Sequence, residues 1–310
     1  MADKQATRDA YGIALQRIGN QRDDIVVLDA DLSGSTRSKK FGAEHPDKFF
    51  NVGIAEQNLI GMSAGFASTG KTVFASTFSM FITGRVYDQI RQNLARPRAR
   101  VRIVGSHGGI TVGEDGPSHQ ACEDVGLMRL LPDMQVWVPA DGPETESMVE
   151  ASLEIDGPVF IRTGRSKCTI FHDASYKFTP GKGEIVRHGK DLTLIAMGIM
   201  VSACLEAADK LAADGIDARV VNMASVKPID EDLIVRCAKE TGRIITAEEH
   251  SIIGGLGAAV AEICGEKCPV PVKRIGMRDE FGKTGPANEL LEYFHLTAAD
   301  VEQAARAFVK

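Results

Sequence analysis

Two histidines, several acids and four turn-forming glycines share one stretch of this chain, "SHGGITVGEDGPSHQACED" at 106–124. Imidazoles titrate near neutral pH, so His107 and His119 can donate, accept or shuttle protons. A carboxylate such as Asp115 can accept from a hydroxyl and select its configuration. A second candidate lies at 51–70, "NVGIAEQNLIGMSAGFASTG". Glu56 falls in the first turn of a helical pattern, where the helix dipole favours an acid. Yet Ile54, Ala55, Leu59 and Ile60 flank it, so it is expected to be buried, and a buried carboxylate needs a partner. Phe78 and Phe81, three apart in "STFSMF", would share one helical face. Their flat rings suit another ring as well as they suit a core.

The elements that must position these groups alternate in kind. Apolar, β-branched runs at 24–33, 71–77, 98–107, 134–141 and 158–164 read as strands. Helical patterns separate them at 51–70, 78–95 and 142–156, the last with Pro143 in its first turn. This alternation predicts a mainly parallel sheet covered by helices. Ligands of such sheets bind beyond the carboxyl ends of the strands, and the 106–124 loop leaves a strand at that end. Residues 171–190 are polar, glycine-containing and hairpin-like, and read as a linker. A second pattern follows: strands at 191–198, 217–225, 243–250 and 271–277, with helices between them and two at the end. The final helix opens at Thr297 with Asp300 as a short capping box. The expectation is α/β with two domains, 1–170 and 191–310, each a mainly parallel sheet flanked by helices. "GGLG" at 254–257 could cradle an anion at a helix start; a close turn between domains fits it better.

The bulk numbers set limits. The 310 residues are 44% hydrophobic and 25% charged, with a net charge of −6, the mix of a globular protein. That charge argues against general nucleic-acid binding. No apolar run is long enough for a membrane span, and the first residues lack the apolar core of a secretory signal. The six cysteines are scattered with no CxxC pair, which points to reduced thiols in a cytoplasmic protein, not a disulfide frame or zinc site.

In order along the chain, "VGIAEQN", "STFSMF", "SHGGITVGEDGPSHQ" and "FIRTGR" resemble the second half of transketolase, its pyrimidine-binding and C-terminal domains. The resemblance covers essentially the whole chain, and "GEDGPSHQ" is its most specific piece. It implies thiamine diphosphate as cofactor, with Mg2+ or Ca2+. Glu56 would hydrogen-bond a ring nitrogen of the aminopyrimidine and promote the tautomer that activates the thiazolium, while Phe78 and Phe81 pack on the ring. Many transketolases carry a third aromatic three residues on, where this chain has Gly84. His107, Asp115 and His119 match residues that contact the sugar carbonyl and hydroxyls. Arg8, Ser35 and Arg165 match phosphate anchors, with Arg162 as a competitor for the last role.

The family's diphosphate and metal are held by a preceding domain marked by Gly-Asp-Gly, and this sequence contains no such tripeptide. The resemblance therefore implies one subunit of a split transketolase. It would bind no metal itself, need an N-terminal partner carrying Gly-Asp-Gly, and self-associate into an α2β2 assembly acting on phosphorylated sugars. The rivals are half of a deoxyxylulose phosphate synthase-like or specialised sugar ketol-transferase, and a non-catalytic α/β binding subunit. The intact set Glu56, His107, Asp115 and His119 speaks against the non-catalytic reading.

Overall fold

The computed structural model describes residues 3–309. Its strands are β1 (Lys4–Ala6), β2 (Ile25–Asp29), β3 (Phe49–Asn51), β4 (Thr72–Phe78), β5 (Val101–Ser106), β6 (Gln135–Trp137), β7 (Val159–Arg162), β8 (Lys167–Thr169), β9 (Glu184–Arg187), β10 (Leu192–Ala196), β11 (Ala218–Asn222), β12 (Ser225–Lys227), β13 (Ile244–Ser251) and β14 (Val272–Met277). A first large sheet has the order β12-β6-β7-β5-β4-β2-β3, a second β14-β13-β10-β11-β9, and β1 and β8 form a small antiparallel pair. All neighbours in the two large sheets are parallel except the edge pairs β12–β6 and β11–β9. The central strands β2, β4, β5, β10 and β11 are buried at every position. Helices cover both faces of a parallel sheet, so its strands read as continuous apolar runs instead of alternating ones. The expected α/β architecture with two helix-flanked, mainly parallel sheets is the one observed.

Two segments carry structure that the sequence pattern does not show. The 171–190 stretch contains β9, which adds antiparallel to β11 at the edge of the second sheet. β12, from the second half of the chain, returns to pair with β6 of the first sheet. The single helix expected over 78–95 is broken. Helices span Ser79–Thr83 and Tyr87–Ile90, then a wider turn runs over Arg91–Ala95. Gly84 keeps helical angles, and the backbone leaves them at Val86, with φ −123° and ψ 24°. Phe78, with extended angles, is the last residue of β4 and not a helical partner of Phe81. The reciprocal cap at the final helix forms as expected: Thr297 N donates to Asp300 Oδ2 at 3.0 Å and Asp300 N to Thr297 Oγ1 at 3.3 Å.

Because β2, β3, β4, β5 and β7 run parallel, their carboxyl ends lie along one edge of the first sheet. Ser35 follows β2, Glu56 follows β3, Phe78 ends β4, His107 follows β5 and Arg165 follows β7. Residues far apart in sequence thus reach one edge through topology alone.

Candidate active site

Glu56 is the first residue of the helix Glu56–Ser68 and is 4% exposed. An unpaired carboxylate at that depth would cost several kcal/mol. Arg85 supplies the partner, with Nη1 3.0 Å from Glu56 Oε1. The same guanidinium lies over the Phe81 ring, 4.6 Å from its centroid. Phe81 is nearly parallel to Phe78, with centroids 5.9 Å apart and 12° between planes. Arg85 is absent from the sequence reading. A signal for it exists: residues 81 and 85 stand four apart, the spacing that joins side chains on a helix.

His107 is the next layer. It is 3% exposed and stacks on Phe78 at 3.9 Å. Its Nε2 lies 3.0 Å from Arg8 Nη1 and its Nδ1 2.7 Å from Ser106 Oγ. A guanidinium can only donate, so Nε2 is the acceptor and Nδ1 carries the proton given to Ser106. Burial first, then the charges of Arg8, Arg165 and Arg37, push the His107 pKa down to about 3. The ring is neutral at physiological pH. Its backbone φ is +61°, a left-handed conformation that a non-glycine residue holds only when its surroundings impose it. His119 sits edge-on to both rings, 6.1 Å from Phe78 and 5.2 Å from Phe81. Glu56, Phe78, Phe81, His107 and His119 therefore form one connected group.

The basic end is built around Arg8, whose Nη1 also donates to the main-chain oxygen of Ser35 at 3.2 Å. Its Nε is buried and has no partner among the described residues. The Ser35 loop is tied from beneath by buried Asp29, which accepts from Thr36 Oγ1 at 2.7 Å, Ser38 Oγ at 2.8 Å and Leu32 N at 2.6 Å. Arg37 closes the same loop from above. It donates to Gly34 O at 3.0 Å and pairs with Asp9 at 2.6 Å. A side chain at Gly12 would come within 2.5 Å of Arg37 Cβ, so that glycine makes room for it. Arg37 is a further residue that sequence reasoning missed.

Arg165 donates to Val112 O and faces Glu114 at 3.5 Å and Asp115 at 3.8 Å. Asp115 therefore lies against Arg165, and among the described residues no hydrogen bond or ion pair joins it to either histidine. Arg162, the competitor, is buried. It binds Asp124 at 2.8 Å, Ala121 O at 3.1 Å and Glu249 O at 2.9 Å, which leaves it closed to an incoming anion.

The second sheet braces this edge. Buried Glu249 on β13 accepts from Thr111 N at 2.7 Å, and Gly109 must be glycine because a Cβ there would fall 2.3 Å from the Glu249 carboxyl. The "GGLG" turn is not an anion site. Glu248 fills that helix start, accepting from Leu256 N at 2.7 Å and Gly257 N at 2.8 Å. No helix is long and apolar enough to cross a membrane among the described residues, and all six cysteines are free.

The group at Glu56 fits an aminopyrimidine ring. Arg85 acts as a stand-in: a planar, N–H-bearing group already rests between the carboxylate and an aromatic face. The orphaned Arg8 Nε likewise fits an anionic substrate end.

The transketolase pyrimidine-binding domain profile matches residues 3–169, and the transketolase C-terminal domain profile matches 181–301. A "putative transketolase C-terminal section" of Methanocaldococcus jannaschii is 47% identical over 297 residues, covering 95% of this chain and 93% of that protein. A "6-deoxy-6-sulfo-D-fructose transketolase subunit" of Clostridium sp. (strain MSTE9) is 43% identical over 298 residues, covering 96% and 92%. Among solved structures, a "split gene transketolase, inactive beta4 tetramer" is 50% identical with a TM-score of 0.91, covering 97% of each chain. With both domains matched and whole-length relatives of this identity, the chain belongs to the transketolase family.

Proposed function

We propose that this chain is one subunit of a two-polypeptide transketolase that moves a two-carbon ketol unit from a ketose phosphate to an aldose phosphate. The observation that carries the reading is the buried Glu56 joined to Phe78, Phe81, His107 and His119 at one sheet edge, in a sequence without Gly-Asp-Gly. When bound, thiamine diphosphate supplies the carbon nucleophile and electron sink. Glu56 holds a proton at the pyrimidine nitrogen, and Phe78 and Phe81 fix the ring. His119 hydrogen-bonds the sugar's oxygens, His107 as a neutral imidazole accepts from a sugar hydroxyl at Nε2 once Arg8 Nη1 yields that position, and Asp115 accepts from another hydroxyl. Arg8, Ser35 and Arg165 hold the distal anion. A partner subunit with Gly-Asp-Gly holds the diphosphate and its Mg2+ or Ca2+, in a cytoplasmic α2β2 assembly. The domain limits 1–170 and 191–310, with a connecting segment between them, belong to this reading. The names of two similar proteins, a transketolase C-terminal section and a split gene transketolase, support it.

A specialised sugar ketol-transferase is the second reading. Guanidiniums pair with any tetrahedral oxyanion, and one relative is named for a sulfo sugar. The test is reconstitution. The purified chain should show no ketol transfer alone. Mixed with a partner bearing Gly-Asp-Gly, it should gain activity that requires thiamine diphosphate and a divalent cation. Robust turnover by the chain alone would overturn the split-enzyme reading. Comparing phosphorylated and sulfonated ketoses in the same assay decides between the two substrate classes.

A further inference from the structure

Arg85 makes two contacts at once. Its Nη1 lies 3.0 Å from Glu56 Oε1, and its guanidinium carbon lies 4.6 Å from the centroid of the Phe81 ring. These are the two contacts that an aminopyrimidine ring needs here, a carboxyl group at its edge and an aromatic face beside it. A ring cannot enter between the two phenylalanines instead. Phe78 and Phe81 are nearly parallel with centroids 5.9 Å apart, and a ring between them needs about 7 Å, two layers of about 3.5 Å. A ring that stacks on Phe81 and reaches Glu56 therefore takes the volume that the Arg85 guanidinium fills. Arg85 is also free to leave. Its side chain is half-exposed whereas Glu56 is buried, and a Cβ on the neighbouring Gly84 would meet only Met80 O at 3.8 Å, so the chain around it is uncrowded. An ion pair with an exposed partner and a cation over an exposed ring are each weak, and neither locks the side chain in place.

We propose that Arg85 is a gate on the cofactor site: its guanidinium covers the Phe81 face and pairs with Glu56, and the aminopyrimidine ring must displace it to bind. Arg85 then competes with the cofactor and is not one of its ligands. The inference rests on the thiamine diphosphate reading above. The gate gives a buried carboxylate a counter-charge that it would otherwise lack. It also subtracts the two contacts of Arg85 from the affinity for the ring.

The test uses the complex reconstituted with a Gly-Asp-Gly partner. Thiamine diphosphate is titrated calorimetrically in the presence of Mg2+, and inorganic pyrophosphate is titrated in parallel as a probe that lacks the ring. Arg85→Ala should bind thiamine diphosphate roughly three- to thirty-fold tighter and bind pyrophosphate as wild type does. The direction is diagnostic, because deleting a cation near an anionic cofactor weakens binding by charge alone. Unchanged or weaker binding of thiamine diphosphate would overturn the proposal. A tightening that pyrophosphate shares equally would overturn it too, since the effect would not lie at the ring. If the alanine variant fails to fold, Arg85→Gln decides: it removes the charge but keeps bulk, and the same direction supports the gate while the same two results remove it. Failure of the wild-type complex to bind thiamine diphosphate would instead sink the proposed function, and this inference with it.

Discussion

Two buried histidines sit at opposite poles of this chain. His107 stacks on Phe78 and faces Arg8, and its pKa is pushed down to about 3. His172, between the two sheets, lies 3.0 Å from Asp141 and 2.9 Å from Glu184, and its pKa is raised to about 9 by those carboxylates against the pull of burial. The neighbourhoods differ further. Around His172 the acids are well satisfied: Glu144 accepts from Ala140 N at 2.7 Å, Asn222 Nδ2 at 2.8 Å and Tyr176 OH at 3.1 Å, and Asn222 Oδ1 alone of the network's named members is left without a partner. Around His107 it is a cation that lacks a partner, since Arg8 Nε is orphaned. A closed network holds segments together, and an open one waits for a ligand. The same side chain at similar depth thus does opposite work, and the sign of its neighbours' charge decides which.

The sharpest way to break this contrast is to remove each imidazole. His107→Gln should lower kcat/KM of the reconstituted enzyme by about 10²–10⁴-fold while the thermal midpoint of the subunit moves little. His172→Gln should do the reverse. Activity that follows stability in both variants would erase the distinction. The pH profile offers a finer version. With its pKa near 3, His107 should contribute no ionisation to kcat/KM between pH 5 and 8, so a limb that His107→Gln abolishes in that range would show the imidazole is not held neutral.

The open end can be probed at its charges. Arg165→Ala removes one guanidinium but leaves Arg8 and Arg37. Losing a charge-assisted bond costs about 1.5–3 kcal/mol, so KM for phosphorylated sugars should rise roughly ten- to a hundred-fold, with unphosphorylated sugars much less affected. Equal rises for both would show that Arg165 only braces Glu114 and Asp115, the two acids it faces at 3.5 and 3.8 Å.

The sequence shows one of these poles and hides the other. Parallel strands announce themselves as continuous apolar runs, and loop chemistry concentrates in short motifs, so the sheets and the stretch around His107 and His119 were legible. Arg85 carried a readable signal, its four-residue spacing from Phe81, but Arg37 did not, because it adopts φ +72° in a loop without a glycine at that position. The His172 network was hidden for a different reason. Its members, Asp141, Glu144, His172, Tyr176, Glu184 and Asn222, come from four separate segments, and the polar composition of 171–190 reads as solvated linker when Asp141, Glu144 and Asn222 lie elsewhere in the sequence.

The smallest expected effect tests the closed network through its proton. His172 stays protonated in the folded chain up to about pH 9, whereas an unfolded histidine loses its proton near 6.5. Between those values the folded state holds one proton more, so stability must fall as pH rises. The contribution is complete below about pH 6.5 and is lost as pH passes 9. His107 has the opposite sign: its contribution is complete above about pH 6.5 and is lost as pH falls towards 3. In urea unfolding of the subunit, His172→Gln should cost about 1–3 kcal/mol at pH 6 and progressively less at pH 7.5 and 9. A penalty that stays constant across this range would mean that packing against Tyr176, whose ring stacks on His172 at 3.9 Å, carries the stabilisation. The charge between Asp141 and Glu184 would then be incidental, and the electrostatic half of the contrast with His107 would fall.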